Sequence, residues 1–280
     1  MITPRLWADG ALVDDPTAPV VRADDHGLVV GDGVFETVEV VDGRPFALTR
    51  HLRRLRDSAR GLGLDVDDAF VRAGVEAVLA DAPSRARLRI TMTGGPSPYG
   101  SDRGGAGPTV LVATAGLPEW PPTTDVAVVP WTRNERSATA GLKTTSYADN
   151  VVALRYAHDR GAAEAIFANT RGEVCEGTGS NVFFEYDGAL VTPPLDSGCL
   201  GGITRELLIE WLRDDGVPVH ELATPIAAFL RAREAFITST TRGVQPIRAV
   251  DGAPLAEAPG ALTERAATVF ARRAAADCDP

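Results

Sequence analysis

A chain of 280 residues with 44% hydrophobic content can build one large domain or two modest ones around a real core. Its formal net charge of −10 argues against nucleic acid or an anionic membrane as a main partner. Three scattered cysteines, Cys175, Cys199 and Cys278, without a CxxC pair, argue against a disulfide framework or zinc cluster and point to a reducing cytoplasm.

The start, MITPRLWADG, has no cationic segment followed by an apolar core, so no signal peptide is expected. A strand is predicted over Ile2–Trp7, then a second over Val34–Val41 that turns at Asp42-Gly43, a hairpin dipeptide. Thr49 reads as the N-cap of a helix whose Leu52, Leu55 and Ala59 share a face. Another helix is predicted over Asp68–Leu79. Alternation from Arg87 to Met92 gives a strand with Leu88, Ile90 and Met92 on one side and Arg87, Arg89 and Thr91 on the other. Residues Gly94–Pro108, rich in Gly, Pro and Ser, are too long for a casual connection and read as an active-site flap or a disordered loop.

Prolines stiffen the stretch ending at Thr123, which suggests a small N-terminal domain over 1–116, a linker at 117–123 and a larger domain over 124–280. In the latter, helices are predicted over Ala148–Arg160, Thr204–Asp214 and Ala261–Ala275. Strands are predicted over Asp125–Pro130, Glu164–Asn169, Val174–Glu176, Asn181–Tyr186, Leu190–Thr192, Glu234–Thr238 and Val244–Val250. The mixture is α/β, with too many hairpins for a doubly wound parallel sheet. No apolar run nears the roughly 20 residues of a membrane span.

The chain has one lysine, Lys143; every other fixed cation is arginine. Arginine supplies charge equally well but cannot form an imine, whereas a desolvated lysine amine can. Chance retention at the surface is the plain alternative. A pyridoxal 5′-phosphate (PLP) site needs an imine lysine, a phosphate cradle, a carboxylate at the pyridine nitrogen and a group near the phenolate oxygen. Lys143 precedes a predicted helix. Glu176 sits at a strand end beside small residues, although it could be an ordinary hairpin acid. Leu200-Gly-Gly-Ile-Thr-Arg205 opens a helix and could nest an anion, or be a turn with a Thr cap. Ser239-Thr-Thr-Arg242 could add hydroxyl donors or merely end a strand. Arg54 could contribute a charge-assisted contact.

These residues carry a resemblance. Gly31-Asp-Gly-Val-Phe-Glu-Thr37, His51 with Arg54-Leu-Arg-Asp-Ser-Ala59, Lys143-Thr-Thr-Ser-Tyr147, Glu176-Gly-Thr-Gly-Ser-Asn-Val-Phe183, Thr192-Pro-Pro194, Leu200–Arg205 and Ser239-Thr-Thr241 resemble the blocks of class IV, fold-type IV, PLP-dependent aminotransferases, and occur in that family's order along nearly the whole chain. The resemblance implies a small α/β domain, a linker and a larger barrel-like domain with the site between them, in a homodimer. It implies that Lys143 holds the Schiff base and shuttles the proton, that Glu176 contacts the pyridine nitrogen, and that Tyr147 stands near the phenolate oxygen. Arg54, the backbone of Ile203 and Thr204, and Thr240 would hold the phosphate.

Substrates are then a small amino acid and a keto acid, and the pocket must choose between them. Phe35, Thr37 and Thr241 are expected to line it, with Glu36 as a structural acid. Arg89 is either a partner for the substrate carboxylate or a solvated edge arginine. His26 stands where several lyase-like and D-amino-acid members have arginine, while the loop with Arg103 resembles lyase-type loops. The expected activity is therefore a D-amino-acid transaminase, with 4-amino-4-deoxychorismate lyase second and a branched-chain enzyme third. A metal hydrolase lacks clustered ligands, because His26, His51, His158 and His220 are scattered with no HExxH, so no metal is expected. Gly31-Asp-Gly33 continues into neither GxGxxG nor a P-loop. A non-catalytic binding module stays open if Lys143 lies on the surface.

Overall fold

The computed structural model describes residues 4–80 and 84–280; Ile2 and Thr3 of the first expected strand lie outside them. The chain forms two compact units. One comprises the residues up to Pro118 together with Leu142–Tyr147 and Asp279; the other comprises Glu119–Gly141, Ala148–Cys278 and Pro280. The lysine segment lies beyond the proline-rich stretch in sequence, yet it packs with the first unit.

The first unit runs β1 (Arg5–Ala8), β2 (Ala11–Val13), α1 (His26–Val29), β3 (Gly33–Val41), β4 (Arg44–Pro45), α2 (Leu48–Gly61), α3 (Asp68–Leu79), β5 (Arg85–Thr93) and β6 (Thr109–Ala115). Its antiparallel sheet has the order β2-β1-β6-β5-β3-β4. Alternation along β3 and β5 sends Val34, Val38, Val40, Leu88, Ile90 and Met92 to one face, against Leu52, Leu55 and Ala59 of α2 and Val71, Val75 and Val78 of α3. Each such side chain contributes about 1.5–3 kcal/mol on burial. The other face carries Phe35, Thr37, Arg89 and Thr91, with Phe35 paired to Thr91 and Thr37 to Arg89.

Thr49 is not the cap of α2. The helix begins at Leu48 after Ala47, which adopts φ 53° and caps nothing with its side chain. Thr49 sits inside the first turn, where its amide and hydroxyl donate to the Asp279 carboxylate at 2.8 and 2.6 Å. A partner 230 residues away replaces a local cap. By contrast, Asp67 caps α3 locally by accepting from the amides of Ala69 and Phe70.

The second unit runs β7 (Thr124–Arg133), α4 (Ala148–His158), β8 (Glu164–Asn169), β9 (Val174–Gly177), β10 (Asn181–Tyr186), β11 (Ala189–Thr192), a 3-10 turn at Leu195–Ser197, α5 (Ile203–Asp214), β12 (Val219–Glu221), α6 (Ile226–Phe229), β13 (Ala235–Ser239), β14 (Gly243–Val250), β15 (Ala253–Pro254) and α7 (Ala261–Ala276). The sheet order is β12-β11-β10-β13-β14-β7-β8-β9, with β15 on β14. β9 ends that order, yet a tight turn joins it to β10, and the Gly177 amide donates to the Ser180 carbonyl at 2.8 Å. The sheet must therefore curl back on itself. Val182, Phe184, Ile237 and Ile247 fill one side with Phe229, while Phe183 stacks on Phe236 with ring centres 4.9 Å apart. Leu207, Leu208, Trp211 and Leu212 form the buried face of α5.

Candidate active site

In the first unit, the Lys143 segment is laid alongside β3 by an isolated bridge. Thr144 bridges to Val34. The Phe35 amide donates to the Lys143 carbonyl at 3.0 Å, and the Thr145 amide donates to the Gly33 carbonyl at 2.8 Å. The hydroxyls of Thr145 and Ser146 both donate to the Gly31 carbonyl at 2.9 Å. The lysine Nζ stands 4.3 Å over the Phe35 ring and donates to the Tyr147 hydroxyl at 3.3 Å. Lys143 is half-buried rather than a surface lysine, and Tyr147 meets Phe35 edge-on at 5.0 Å.

The same Phe35 ring carries Arg89 at 3.4 Å to its centre. β5 is an interior strand of its sheet, so the solvated edge reading of Arg89 fails. Among the described residues, the guanidinium donates to Thr91 Oγ1 alone, at 3.1 Å. Burial pushes its pKa down to about 10, with the nearest acids too few to restore it. Among the described residues, no carboxylate pairs with Arg89. Thr37, half-buried, stands across from it in the sheet register.

Glu36 points to the opposite, core-facing side and is fully buried. It accepts from Arg54 Nε and Nη2, both at 2.7 Å, and lies 2.7 Å from His51 Nδ1. Burial alone would raise its pKa, but Arg54 and His51 hold it well below the usual carboxylate range. Burial lowers His51, so this ring stays neutral and donates through Nδ1. Arg54, expected at a phosphate, thus has one edge of its guanidinium engaged by Glu36. The signal was present in Val34-x-Glu36-x-Val38, an acid on an apolar strand face.

The loop Gly94–Pro108 is tied at both ends. Asp25 Oδ2 accepts from Thr93 and Thr109, the last residue of β5 and the first of β6, at 3.0 and 2.8 Å. Further out, Asp32 accepts from Arg103 Nε and Nη2, each at 2.6 Å, and sits 2.7 Å from His26 Nδ1. His26 Nε2 reaches the Gly100 carbonyl at 2.8 Å. Both ring nitrogens face acceptors, which only the imidazolium satisfies. The bond to Asp32, then that to Gly100, raises the His26 pKa, and Arg103 keeps Asp32 ionised. Neither His26 nor Arg103 is left to meet a substrate.

In the second unit, Glu176 is the next-to-last residue of β9. Its Oε2 accepts from the Leu200 amide at 2.9 Å, and Arg133 Nε lies 3.1 Å from Oε1. Arg133 is braced by the Phe167 ring at 4.2 Å and by Asn150, which in turn donates to the Thr178 carbonyl. Sequence reasoning missed Arg133 and Asn150, because a lone arginine at a strand end carries no pattern. Asn181 donates to the Leu200 carbonyl at 2.8 Å and pairs with Thr238 across the sheet. Leu200 is therefore strapped between two strand ends. The helix it leads into, α5, has no side-chain cap at Gly202. Ile203 and Thr204 present its first turn, buried at 3% and 5% exposure. Thr240 and Thr241 lie half-buried in the turn between β13 and β14, whose Arg242 stacks on Trp120 at 3.9 Å.

An uncapped helix start offers free amides and a positive dipole end, which suit a phosphate. A fixed carboxylate at Glu176 suits a protonated ring nitrogen. Both features fit PLP chemistry. Cys175, Cys199 and Cys278 form no disulfide among the described residues, which also hold neither a metal-type cluster nor a helix long and apolar enough to cross a membrane. His158 and His220 are exposed.

The chain belongs to the class IV aminotransferases: that family's model matches residues 33–250. It is thus an aminotransferase of a PLP-dependent family. It is 31% identical over 259 residues to a D-alanine aminotransferase of Bacillus licheniformis, covering 89% of this chain and 90% of the relative. It is 30% identical over 280 residues to a bifunctional aminodeoxychorismate lyase / D-amino acid transaminase of Mycobacterium tuberculosis, covering 90% and 92%. A branched-chain aminotransferase structure from Thermoproteus uzoniensis superimposes with a TM-score of 0.87 at 30% identity, covering 96% and 93%.

Proposed function

We propose that this chain is a PLP-dependent D-amino-acid transaminase acting through Lys143. Arg89 carries the reading: a half-buried guanidinium with no acid partner among the described residues, stacked on the ring that also holds the sole side-chain amine. An α-amino acid brings a carboxylate and an amine a few ångströms apart, and Arg89 and Lys143 match that pair.

When bound, PLP supplies the electron sink that makes a substrate Cα–H acidic. Lys143 Nζ is the amine that would bond to the cofactor's aldehyde, and once displaced by the substrate it would carry the proton from Cα. Tyr147 Oη orients that amine. In the second unit, Glu176, held beside Arg133, would take the ring nitrogen. The amides of Ile203 and Thr204, with Thr240 and the first unit's Arg54, would take the phosphate. Phe35, Thr37 and Thr241 would shape the space for the substrate. A homodimer in a reducing cytoplasm is part of the reading, supported by the family resemblance and by cysteines that form no disulfide among the described residues.

The lyase is the second reading, because one relative is named for both activities. It shares the first steps and ends in loss of pyruvate. The test mixes PLP-loaded protein with D-alanine or D-glutamate, then with the L-forms, without an acceptor. Release of one keto acid per chain from the D-forms only is the expected result. Release from L-forms alone would favour the branched-chain reading. If neither reacts, pyruvate release from 4-amino-4-deoxychorismate decides for the lyase.

A further inference from the structure

Lys143 is held by both of its peptide groups. Its carbonyl accepts from the Phe35 amide at 3.0 Å, and its amide donates to Ser58 Oγ at 3.1 Å. Ser58 lies on the inward face of α2 at 2% exposure, among His51, Leu52, Leu55 and Ala59. Serine is a poorer helix former than alanine, and a buried hydroxyl needs a partner. The lysine amide is that partner. One turn on, at i+3, stands Gly61. A Cβ added there would lie 2.6 and 2.8 Å from the two δ-carbons of Leu142, the residue before the lysine. The two small residues thus receive neighbouring parts of one segment: the hydroxyl takes the Lys143 amide, and the missing side chain makes room for Leu142.

We propose that Ser58 and Gly61 are positioning residues, a seat on α2 that sets the depth at which the Lys143 side chain emerges over Phe35. The seat works with β3, which holds the same segment from its other side. With Ser58→Ala the Lys143 amide loses its acceptor in a buried place, and the segment moves outward to find water. With Gly61→Ala, Leu142 must give way and carries the lysine with it. The importance of that depth rests on Lys143 being the reacting amine.

The sole lysine makes the test direct. Full-length protein, cleared of bound carbonyl compounds with hydroxylamine, is treated with an amine-acylating reagent across a pH series. Peptide mass spectrometry then reads acylation at Lys143 apart from the N-terminal amine, and a thermal midpoint is measured alongside. Ser58→Ala is expected to acylate about fivefold faster, the order an ordinary hydrogen bond is worth, with Ser58→Thr close to the parent rate. An unchanged rate and pH profile in folded Ser58→Ala would overturn the seat, whether or not the midpoint falls. If Ser58→Ala does not fold, Gly61→Ala is read in the same way, and unchanged labelling there overturns the proposal. None of these readings depends on turnover, so loss of the seat is separable from loss of the transaminase assignment, which the Lys143→Arg variant tests.

Discussion

Two cations on one ring define this protein at the scale of the residue. Lys143 and Arg89 lie 4.3 and 3.4 Å from the centre of Phe35, and the proposed function makes one the nucleophile and the other the anion receptor. Lys143→Arg keeps the charge but not the imine-forming amine. Turnover should fall by at least about a thousandfold while the thermal midpoint holds, and normal turnover by that variant would sink the assignment. Arg89→Gln keeps hydrogen bonding but loses the charge. The expected cost is about 1.5–3 kcal/mol in substrate binding, seen as a rise in KM of about tenfold or more with kcat less affected. A fall in kcat alone would move Arg89 away from the carboxylate. Both side chains could be named from the sequence: one because it is the sole lysine, the other because strand alternation put it on the polar side. Phe35 could be named too, as a pocket residue, but not as the ring both cations share, because that depends on the register of β3 on β5.

Elements decide what surrounds those residues. The loop after β5 looked like a flap because its composition is permissive, yet Asp25 joins Thr93 to Thr109 at its base and His26, Asp32 and Arg103 hold its tip. Composition describes what a backbone can do, while an ion triad anchored on the buried His26 determines what it does. Because folding raises the His26 pKa, the tie contributes fully below the unfolded value of about 6.5 and is lost as pH rises through the higher folded value. The difference in thermal midpoint between the parent and His26→Gln should therefore be greatest in acid and shrink with rising pH. The groups facing His26 do not reverse this sign, since Asp32 stays ionised and Arg103 charged over that range. A difference independent of pH would mean that His26 acts through packing alone. The start of α2 teaches the same lesson, with Asp279 doing what Thr49 was expected to do.

For the whole molecule, the chain order and the packing order differ. Leu142–Tyr147 is flanked on both sides by segments of the second unit but is built into the first. A fragment ending at Pro118 would keep β3 while losing the Leu142–Tyr147 segment bridged to it. The Phe35 amide, bonded to the Lys143 carbonyl in the full chain, should then exchange with solvent far faster by hydrogen–deuterium exchange. Equal protection in fragment and full chain would show that the lysine segment adds nothing to the sheet.

The sequence by itself determined the family, the mixed α/β class, most strands and helices and the sole imine-forming amine, because these follow from residue identity, local periodicity and ordered motifs. It also supplied Glu176, Ile203 and Thr204 as candidates, since Gly-rich turns before a helix are local signals. Only the tertiary structure decided that Glu36 binds Arg54 and His51, that Arg133 braces Glu176, that His26 and Arg103 are spent on the loop, and that Arg89 shares Phe35 with Lys143. These contacts are set by tertiary packing, by burial and by the need of most buried charges for a partner. No local pattern in the sequence marks the two members of such a pair as partners.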